Sequence, residues 1–369
     1  MNLLTKITLK GFKTFHDLDA FEPRALNVLI GANGAGKSNF ISFFRLLTWM
    51  VASTGNLQRQ IGIEGGAHRL LHDGPGVTQA IEATLTFLTE RGLNDYNIQL
   101  GYAAGDTLIF GRERLRFSST ARKKPAPWKS LGAGHREATL IDQAATDTTA
   151  RLMRGLVQRC VVYQFHNTSP TSRMRAKWAV RDNQYLKEDG ANLAAVLLRV
   201  REKEVESYRQ IVATLRLLVP FFDDFDLNSE HDNVMLTWRE VGSDIVFDAS
   251  QASDGMLRAF ALVTLLGQPV NALPNMVILD EPELGLHPYA ISIVGGMIKR
   301  VAAHAQVIVA TQSATLVDQF APEDVVVVER EGRRSSLRRL DAEQLAVWLE
   351  EYSLGELWLK NVLGGRPLK

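Results

Sequence analysis

Cysteine and net charge are both scarce in this sequence. The only cysteine is Cys160, so no disulfide can form within the chain, which favours a reducing compartment such as the cytoplasm. Cys160 precedes Val161 and Val162 in an apolar run, which is typical of a small buried side chain rather than a reactive thiol. The formal net charge is +1, so no overall field draws the protein to nucleic acid or membrane, and any basic binding surface must be local.

Long apolar runs are missing as well. No uncharged apolar stretch reaches the roughly 18 residues that a membrane-spanning helix needs, so we expect no membrane insertion.

The eight histidines are scattered, without the His/Cys spacing of a metal site, and no Ser-His-Asp hydrolase motif occurs. The 369 residues, 46% of them hydrophobic, leave room for two domains or one large α/β domain.

Periodicity predicts an α/β protein. Residues 2–10 and 26–30 read as strands, and three strands between residues 80 and 117 read as an antiparallel subsheet. Residues 119–139 lack clear periodicity and predict an exposed loop. Apolar residues spaced by three or four predict a helical region over residues 192–219.

The C-terminal third alternates strands and helices. Residues 276–279, 306–310 and 325–328 are short apolar runs typical of buried strands, and helical patterns separate them. This alternation indicates a mainly parallel core sheet.

Residues 31–38, GANGAGKS, match the pattern G-x-x-x-x-G-K-[ST] in full, between an apolar strand and an amphipathic helix. The glycines allow successive backbone N–H groups to turn toward an anion, and the positive end of the helix adds to the attraction. Lys37 would reach the β- and γ-phosphates of ATP, and the Ser38 hydroxyl would bind Mg²⁺. The predicted nucleotide contacts of this phosphate loop are Asn33, Gly34, Ala35, Gly36, Lys37 and Ser38.

A second candidate site, formed by two acidic residues, follows an apolar strand. Asp280 and Glu281 come directly after residues 276–279. In P-loop ATPases an acid at this place holds Mg²⁺ through water, which suits Asp280. We interpret Glu281 as the catalytic group that orients or deprotonates the attacking water.

Two shorter polar motifs have both a functional and an ordinary interpretation. Ser253-Asp254-Gly255 precedes a helix, so it is either a phosphate contact or a plain N-cap. Thr311-Gln312-Ser313 follows the strand over residues 306–310, where a side chain either reaches a γ-phosphate or caps a turn.

The order of these motifs resembles that of the ABC-type ATPase heads of the RecF, SMC and OLD-like group. The resembling segments are GANGAGKSN (residues 31–39, which adds Asn39 to the ATP contacts), SDG (253–255), DEPELGLHP (280–288) and ATQS (310–313). The opening strand, residues 7–15, also resembles the first strand of that group, and YSLGELW, residues 352–358, resembles the tail of a bacterial subgroup of RecF-like ATPases.

This resemblance implies a P-loop NTPase fold with a mainly parallel core sheet, an antiparallel subsheet and a helical lobe. It implies a single domain over residues 1–369, with a first lobe at about 1–118 and 256–345, an inserted lobe at about 140–255 and a helical tail at 346–369. It also implies a head-to-head homodimer that sandwiches ATP, in which Ser253 and Gly255 contact the γ-phosphate held by the other subunit. We expect His287 to shape that interface.

The sequence departs from the family pattern in two places. The signature is Ala252-Ser253-Asp254-Gly255-Met256 rather than Leu-Ser-Gly-Gly-Gln, and Gln312 stands where a catalytic histidine is expected. Glutamine donates a hydrogen bond but cannot change its charge, which allows for slow turnover. Gln164 is the candidate for the glutamine that links the lobes through Mg²⁺, with a solvent-facing strand residue as the alternative.

Basic residues interleaved with tryptophan suggest a local nucleic-acid surface, and solvated strand, loop or helix faces are the alternative. The two groups are Arg112, Arg114, Arg116, Arg122, Lys123, Lys124 and Lys129 around Trp128, and Arg173, Arg175, Lys177 and Arg181 around Trp178. The hypothesis is therefore an ATPase that acts on DNA in repair, recombination or phage defence. The alternative is an ATP-driven switch of a partner effector protein, and a transporter motor suits the signature least.

Overall fold

The computed structural model describes residues 2–121 and 125–365, in which runs of consecutive strands are separated by helices. The strands are β1 Leu3–Phe12, β2 Phe15–Phe21, β3 Leu26–Ile30, β4 Ala80–Thr89, β5 Gly92–Ala103, β6 Thr107–Ser119, β7 Lys129–Gly132, β8 Cys160–Tyr163, β9 Trp178–Ala179, β10 Phe222–Phe225, β11 Ser229–Glu230, β12 Asn233–Val234, β13 Thr237–Glu240, β14 Val246–Asp248, β15 Met276–Asp280, β16 Gln306–Ala310, β17 Val325–Glu331 and β18 Arg334–Arg339. The helices are α1 Lys37–Ala52, α2 Asn56–Ile63, α3 Leu140–Gln143, α4 Thr148–Gln158, α5 Leu193–Lys203, α6 Val205–Leu218, α7 Asp254–Gly267, α8 Pro288–Ala302, α9 Ala314–Val317, α10 Ala342–Leu349 and α11 Leu354–Leu359.

The chain divides into two compact units. The first unit joins Met1–Val161 to Ala321–Lys369, and the second is Val162–Phe320. Residues 256–320, which the sequence analysis assigned to the first lobe, lie in the second unit. The lobe boundaries themselves stay a prediction.

An antiparallel sheet of six strands, ordered β2-β1-β4-β5-β6-β7, occupies the first unit. Along β4 the side chains alternate between buried and partly exposed, as a strand with one covered face requires. The antiparallel subsheet predicted between residues 80 and 117 is confirmed.

Phenylalanine side chains pack helix α1 in the first unit. Phe40 of α1 contacts Phe15 and Phe21 of β2, and Phe43 contacts Phe12 of β1, with ring centroids 5.5–5.8 Å apart. All of these rings are buried. Because α1 begins at Lys37, this packing fixes the direction in which the phosphate loop enters the helix.

Parallel strand pairing occurs in both units, as the alternation of strands and helices predicted. In the first unit β3 pairs in parallel with β17, and β18 pairs antiparallel with β17. In the second unit β15 and β16 run parallel, in a register that places Asp280 opposite Ala310. The residues that follow these two strands therefore emerge side by side at the carboxyl edge of the pair.

An aromatic cluster supports helix α7 in the second unit. Phe260 of α7 packs against Phe222 and Phe225 of β10 and against Trp238 of β13, at centroid distances of 5.1–5.6 Å. These strands belong to the small sheet ordered β10-β13-β14. The cluster anchors the helix that follows the Ser253-Asp254-Gly255 motif.

Two local predictions need correction. The helical region over 192–219 is broken at Glu204, which has a non-helical backbone (φ −130°, ψ 61°) between α5 and α6. The apolar stripe is interrupted there because Val205 is exposed, so each helix buries its own stripe. The predicted exposed loop at 119–139 contains β7, which pairs with β6 and buries Leu131.

Candidate functional site: a phosphate loop and an acidic strand end

The phosphate loop follows β3 in the first unit and has the backbone that its glycines allow. Gly34 and Gly36 have φ values of 76° and 121°, a region that side chains with a Cβ rarely adopt. A Cβ at Gly36 would also lie too close to the Ser335 hydroxyl, which itself donates to the Ala35 carbonyl at 2.6 Å. The loop is therefore held open in a conformation that only this glycine pattern permits.

Lys37 is buried at the start of α1. Its Nζ donates to the carbonyl oxygens of Gly31 at 2.5 Å and Ala32 at 3.2 Å. The Ala32 amide in turn donates to the Gly365 carbonyl at 2.5 Å, so the C-terminal segment lies against the beginning of the loop. The ammonium group is thus fixed within the loop that we predict to receive phosphate.

The remaining predicted nucleotide contacts differ in exposure. Asn33, Gly34 and Ser38 are exposed, while Ala35 is buried. Asn39 is partly exposed, and its side-chain amide donates to the Thr14 hydroxyl at 2.9 Å.

The start of α1 has features that suit a bound phosphate group. α1 has no side-chain cap and no acidic residue in its first turn, and the whole helix lies in the described part of the chain. No side chain therefore competes with an anion at the start of the helix, which carries the buried ammonium group of Lys37 and the exposed Ser38 hydroxyl. The ammonium group and the helix start suit a triphosphate, and the hydroxyl oxygen suits its Mg²⁺.

Asp280 ends β15 in the second unit and meets two residues that follow β8. The side-chain amide of Gln164 donates to Asp280 Oδ2 at 3.3 Å, and His166 Nε2 lies 3.0 Å from the Asp280 carbonyl oxygen. Gln164 and His166 also contact each other at 3.1 Å. Carboxylate and amide oxygens suit Mg²⁺, so the arrangement fits the predicted role of Asp280 and Gln164.

Glu281 adopts an unusual backbone conformation. Its φ is 47°, in the left-handed region, while its amide continues the strand pairing by donating to the Ala310 carbonyl at 2.8 Å. The Gln312 side-chain amide donates to Glu281 Oε1. A strained non-glycine residue is uncommon and is often found at functional sites. The geometry brings Glu281, the predicted base, together with Gln312, the residue at the position of the expected catalytic histidine.

Ser253 and Gly255 begin α7 and are not fully buried. Ser253 caps the helix by accepting a hydrogen bond from the Met256 amide at 3.3 Å, so the ordinary N-cap interpretation holds alongside the functional one. A Cβ on Gly255 would lie 2.9 Å from the Gly285 carbonyl oxygen, in the loop that follows β15. The signature motif and that loop therefore touch backbone to backbone.

The sequence analysis missed three residues that support this site. Arg258 of α7 donates to the carbonyl oxygens of Phe165 and His166 at 3.2–3.4 Å. Glu283 accepts hydrogen bonds from residues 311 and 312, and His166 contacts Asp280. The signal available for Arg258 was its position about one helical turn after the SDG motif. Glu283 stood in the DEPELGLHP segment, where its partners were not visible.

His287 has a simple structural role. Its ring accepts a hydrogen bond from the Tyr289 amide at 3.3 Å and caps α8. The interface role that we expected for His287 stays a prediction.

The basic groups are partly paired with acids. Arg114 and Arg116 lie over the Trp128 ring at 4.5 and 4.4 Å, but Arg116 also pairs with Asp95, and Arg112 pairs with Glu82. Arg122, Lys123 and Lys124 lie outside the described residues.

In the second group Arg173 lies 4.8 Å from the Trp178 ring and pairs with Asp189. Arg175 is turned inward, toward the carbonyl oxygens of Thr168 and Ala252.

Of the described helices, none combines the length and apolarity needed to cross a bilayer.

Two known families match consecutive parts of the sequence. Residues 6–175 match a family described as "AAA domain", and residues 175–318 match a family described as "AAA domain, putative AbiEii toxin, Type IV TA system". One curated protein, urease accessory protein 2 of Cryptococcus neoformans var. grubii, is 37% identical over 81 residues. That match spans 21% of this chain and 6% of the longer protein.

Solved structures of Smc heads share the fold. A crystal structure of an Smc head bound to the C-winged helix domain of ScpA is 17% identical, with a TM-score of 0.61 over 92% of this chain and 99% of that chain. The Smc head from Pyrococcus furiosus, bound to the C-terminal domain of ScpA, is 15% identical, with a TM-score of 0.60 over 95% of this chain and 99% of that chain. The Smc head from Pyrococcus yayanosii gives 12%, 0.55, 95% and 99% for the same measures.

Together the motifs, the fold and these matches support an ABC-type, SMC-like P-loop ATPase head, and the α/β fold is the one that the solved Smc heads have.

Proposed function

We propose that this protein binds ATP with Mg²⁺ and hydrolyses it to ADP and phosphate. The observation that carries the proposal is the pairing at the end of β15: Asp280 meets Gln164, and Glu281 meets Gln312. In the first unit, the uncapped start of α1 and the buried Lys37 support phosphate binding by the loop.

The side chains divide the chemistry between them. Lys37 and the amides of the phosphate loop bind the β- and γ-phosphates, and Ser38, Asp280 and Gln164 hold Mg²⁺. Glu281 accepts a proton from the attacking water, and Gln312 holds the Glu281 carboxylate in place. When bound, Mg²⁺ neutralises charge on the phosphate oxygens.

We further propose that ATP closes two copies of the chain head to head. Ser253 is exposed and Gly255 is partly exposed at the start of α7, as a motif must be if it reaches nucleotide on a second subunit. Hydrolysis would then reopen the dimer, and this cycle would be the output of the protein.

The test compares wild type with Glu281→Gln, which keeps the size of the side chain and removes the base. With MgATP, we expect the variant to bind nucleotide, to hydrolyse it about 10²–10⁴-fold more slowly and to elute as a dimer in light-scattering chromatography. Glu343→Gln, an exposed glutamate at the start of α10, is the matched control. Wild-type turnover in Glu281→Gln would show that another group is the base.

A second candidate function, contact with DNA, rests on the Arg114–Trp128–Arg116 stack. A cation between an aromatic ring and solvent suits a nucleic acid, because phosphate and base can both be contacted. Arg112 and Arg116 already pair with acids, so few phosphates would be neutralised. Binding should therefore fall only gently with salt, with a slope of about 0.9 for each phosphate contact.

Binding of duplex and single-stranded DNA, with and without ATP, separates this candidate from its alternative, an ATP-driven switch of an effector protein. Contact through the stack predicts that Arg114→Ala weakens DNA binding and lowers the salt slope by about one. No binding in either nucleotide state would leave the effector alternative. Two of the compared Smc heads are bound to a domain of ScpA, which supports a protein partner here.

A further inference from the structure

Two glutamates leave the end of β15 two residues apart, and both reach the segment that follows β16. Glu281 accepts a hydrogen bond from the Gln312 side chain. The Glu283 side chain accepts hydrogen bonds from the Gln312 backbone amide and from the Thr311 hydroxyl. The proposed reaction uses Glu281, whereas nothing in it yet uses Glu283.

One oxygen of Glu283 makes two hydrogen bonds. The Thr311 hydroxyl donates to Glu283 Oε1 at 2.6 Å, and the Gln312 backbone amide donates to the same oxygen at 3.1 Å. Thr311 is fully buried, and its hydroxyl also accepts from the Ser313 amide at 3.0 Å. Glu283 therefore fixes the backbone of the whole Thr311–Ser313 turn.

The other oxygen of Glu283 is free of such contacts. Glu283 Oε2 is buried and has no hydrogen-bond partner among the described residues. Burial raises the pKa of this carboxyl, and the nearby charge of Glu281 raises it further. Burying Oε2 without a partner costs free energy, and the two hydrogen bonds of Oε1 offset part of that cost.

Anchoring the backbone at Gln312 affects the position of the Gln312 side chain. Gln312 is exposed, and a free glutamine side chain would sample several rotamers. Holding its backbone amide restricts where the side-chain amide can go, and that amide donates to Glu281. A shift of about 1 Å in such a contact costs up to about a hundredfold in rate.

We infer that Glu283 is a positioning residue: its Oε1 anchors the Thr311–Gln312 turn so that the Gln312 side chain holds the carboxylate of Glu281. This role rests on the proposed ATP hydrolysis, in which Glu281 is the base. Glu283 acts through Gln312 and does not itself take the proton from water.

The experiment uses two replacements of similar size. Glu283→Gln keeps an oxygen that can accept from Thr311 and Gln312, whereas Glu283→Met fills the space without an acceptor. We expect Glu283→Met to lower kcat about 10- to 100-fold with KM changed less than about twofold. Glu283→Gln should stay within about threefold of wild type. In the Gln312→Ala background, Glu283→Met should cost little more, because the two changes remove one linked effect.

A second readout does not depend on hydrolysis. Hydrogen exchange of the Gln312 amide should be faster in Glu283→Met than in wild type and unchanged in Glu283→Gln, since only the first variant loses the acceptor. If wild type fails to hydrolyse ATP, the proposed function is wrong, and amide exchange alone still decides whether Glu283 anchors the turn.

Three results would overturn the inference. Equal loss of kcat in Glu283→Gln and Glu283→Met would mean that the negative charge, not the acceptor, matters, and would favour Glu283 as a base. Unchanged exchange at Gln312 in Glu283→Met would remove the anchoring role. A Glu283→Met protein that fails to fold would make the carboxylate purely structural.

Discussion

Replacing Gly255 with alanine tests the close contact between the signature motif and the loop after β15. The added Cβ would lie 2.9 Å from the Gly285 carbonyl oxygen, which is half an ångström inside ordinary van der Waals contact at 3.4 Å. The obstacle is backbone rather than a flexible side chain, so α7 and the loop must move apart. Overpacking of this kind costs about 1–3 kcal/mol.

The expected result is a lower melting temperature and a weaker ATP-dependent dimer. For a unit of this size, about 1–3 kcal/mol corresponds to a loss of about 2–12 °C in melting temperature, measured by differential scanning calorimetry. The dimer should weaken because the moved segment carries Ser253. MgATP binding by the monomer should change less than about twofold, since the phosphate loop is untouched.

Gly296→Ala provides the matched control. Gly296 lies on an exposed face of α8, and an added Cβ would meet no atom within 4 Å. Alanine there should stabilise the helix by about 0.5–1 kcal/mol, so the two glycine replacements are predicted to have opposite signs. An unchanged or higher melting temperature in Gly255→Ala would refute the contact.

Three further predictions concern Glu113, Cys160 and Arg258. Burial raises the pKa of Glu113, so the folded state favours the protonated carboxyl. The free energy of unfolding that this contributes is complete below the ordinary pKa of 4.5 and is lost as pH rises through the raised pKa. Glu113→Gln should therefore flatten that part of the pH profile of stability, measured by urea denaturation. Burial also raises the pKa of Cys160 to about 12, so iodoacetamide at pH ~8 should label the native protein far more slowly than the guanidinium-unfolded chain, and equal rates would contradict this burial. Arg258→Met removes the hydrogen bonds to the Phe165 and His166 carbonyls and should lower stability by about 1–3 kcal/mol in calorimetry, whereas no change would show that these contacts are weak.

The phosphate loop could be predicted from the sequence because its chemistry is local. Eight consecutive residues carry the glycines, the lysine and the serine, and the flanking strand and helix are strongly patterned. The parallel strands β15 and β16 were equally accessible, since continuous apolar runs are typical of strands buried on both faces.

The support around Asp280 and Glu281 could not be read in the same way. His166 and Asp280 are 114 positions apart, and Glu283 is 28 positions from Thr311. Such contacts depend on strand register and loop path rather than on local pattern. Gln164 was recognisable only through the family resemblance, because a lone glutamine after a strand has no distinctive spacing.

The errors in secondary structure have a similar origin. β7 is four residues long and forms by pairing with β6, so its own sequence carries little signal. The break at Glu204 fell inside a region where helical spacing continued on both sides. For β7, strand pairing decided what local propensity left open.

The account depends most directly on whether residues 31–38 bind a nucleoside triphosphate. Titration calorimetry with MgATP should therefore compare wild type, Lys37→Ala and Lys10→Ala, the last being an exposed lysine of β1. Loss of a charged hydrogen bond of about 1.5–3 kcal/mol predicts that Lys37→Ala binds at least about tenfold more weakly, while Lys10→Ala binds like wild type. Equal affinity in wild type and Lys37→Ala would contradict the central claim.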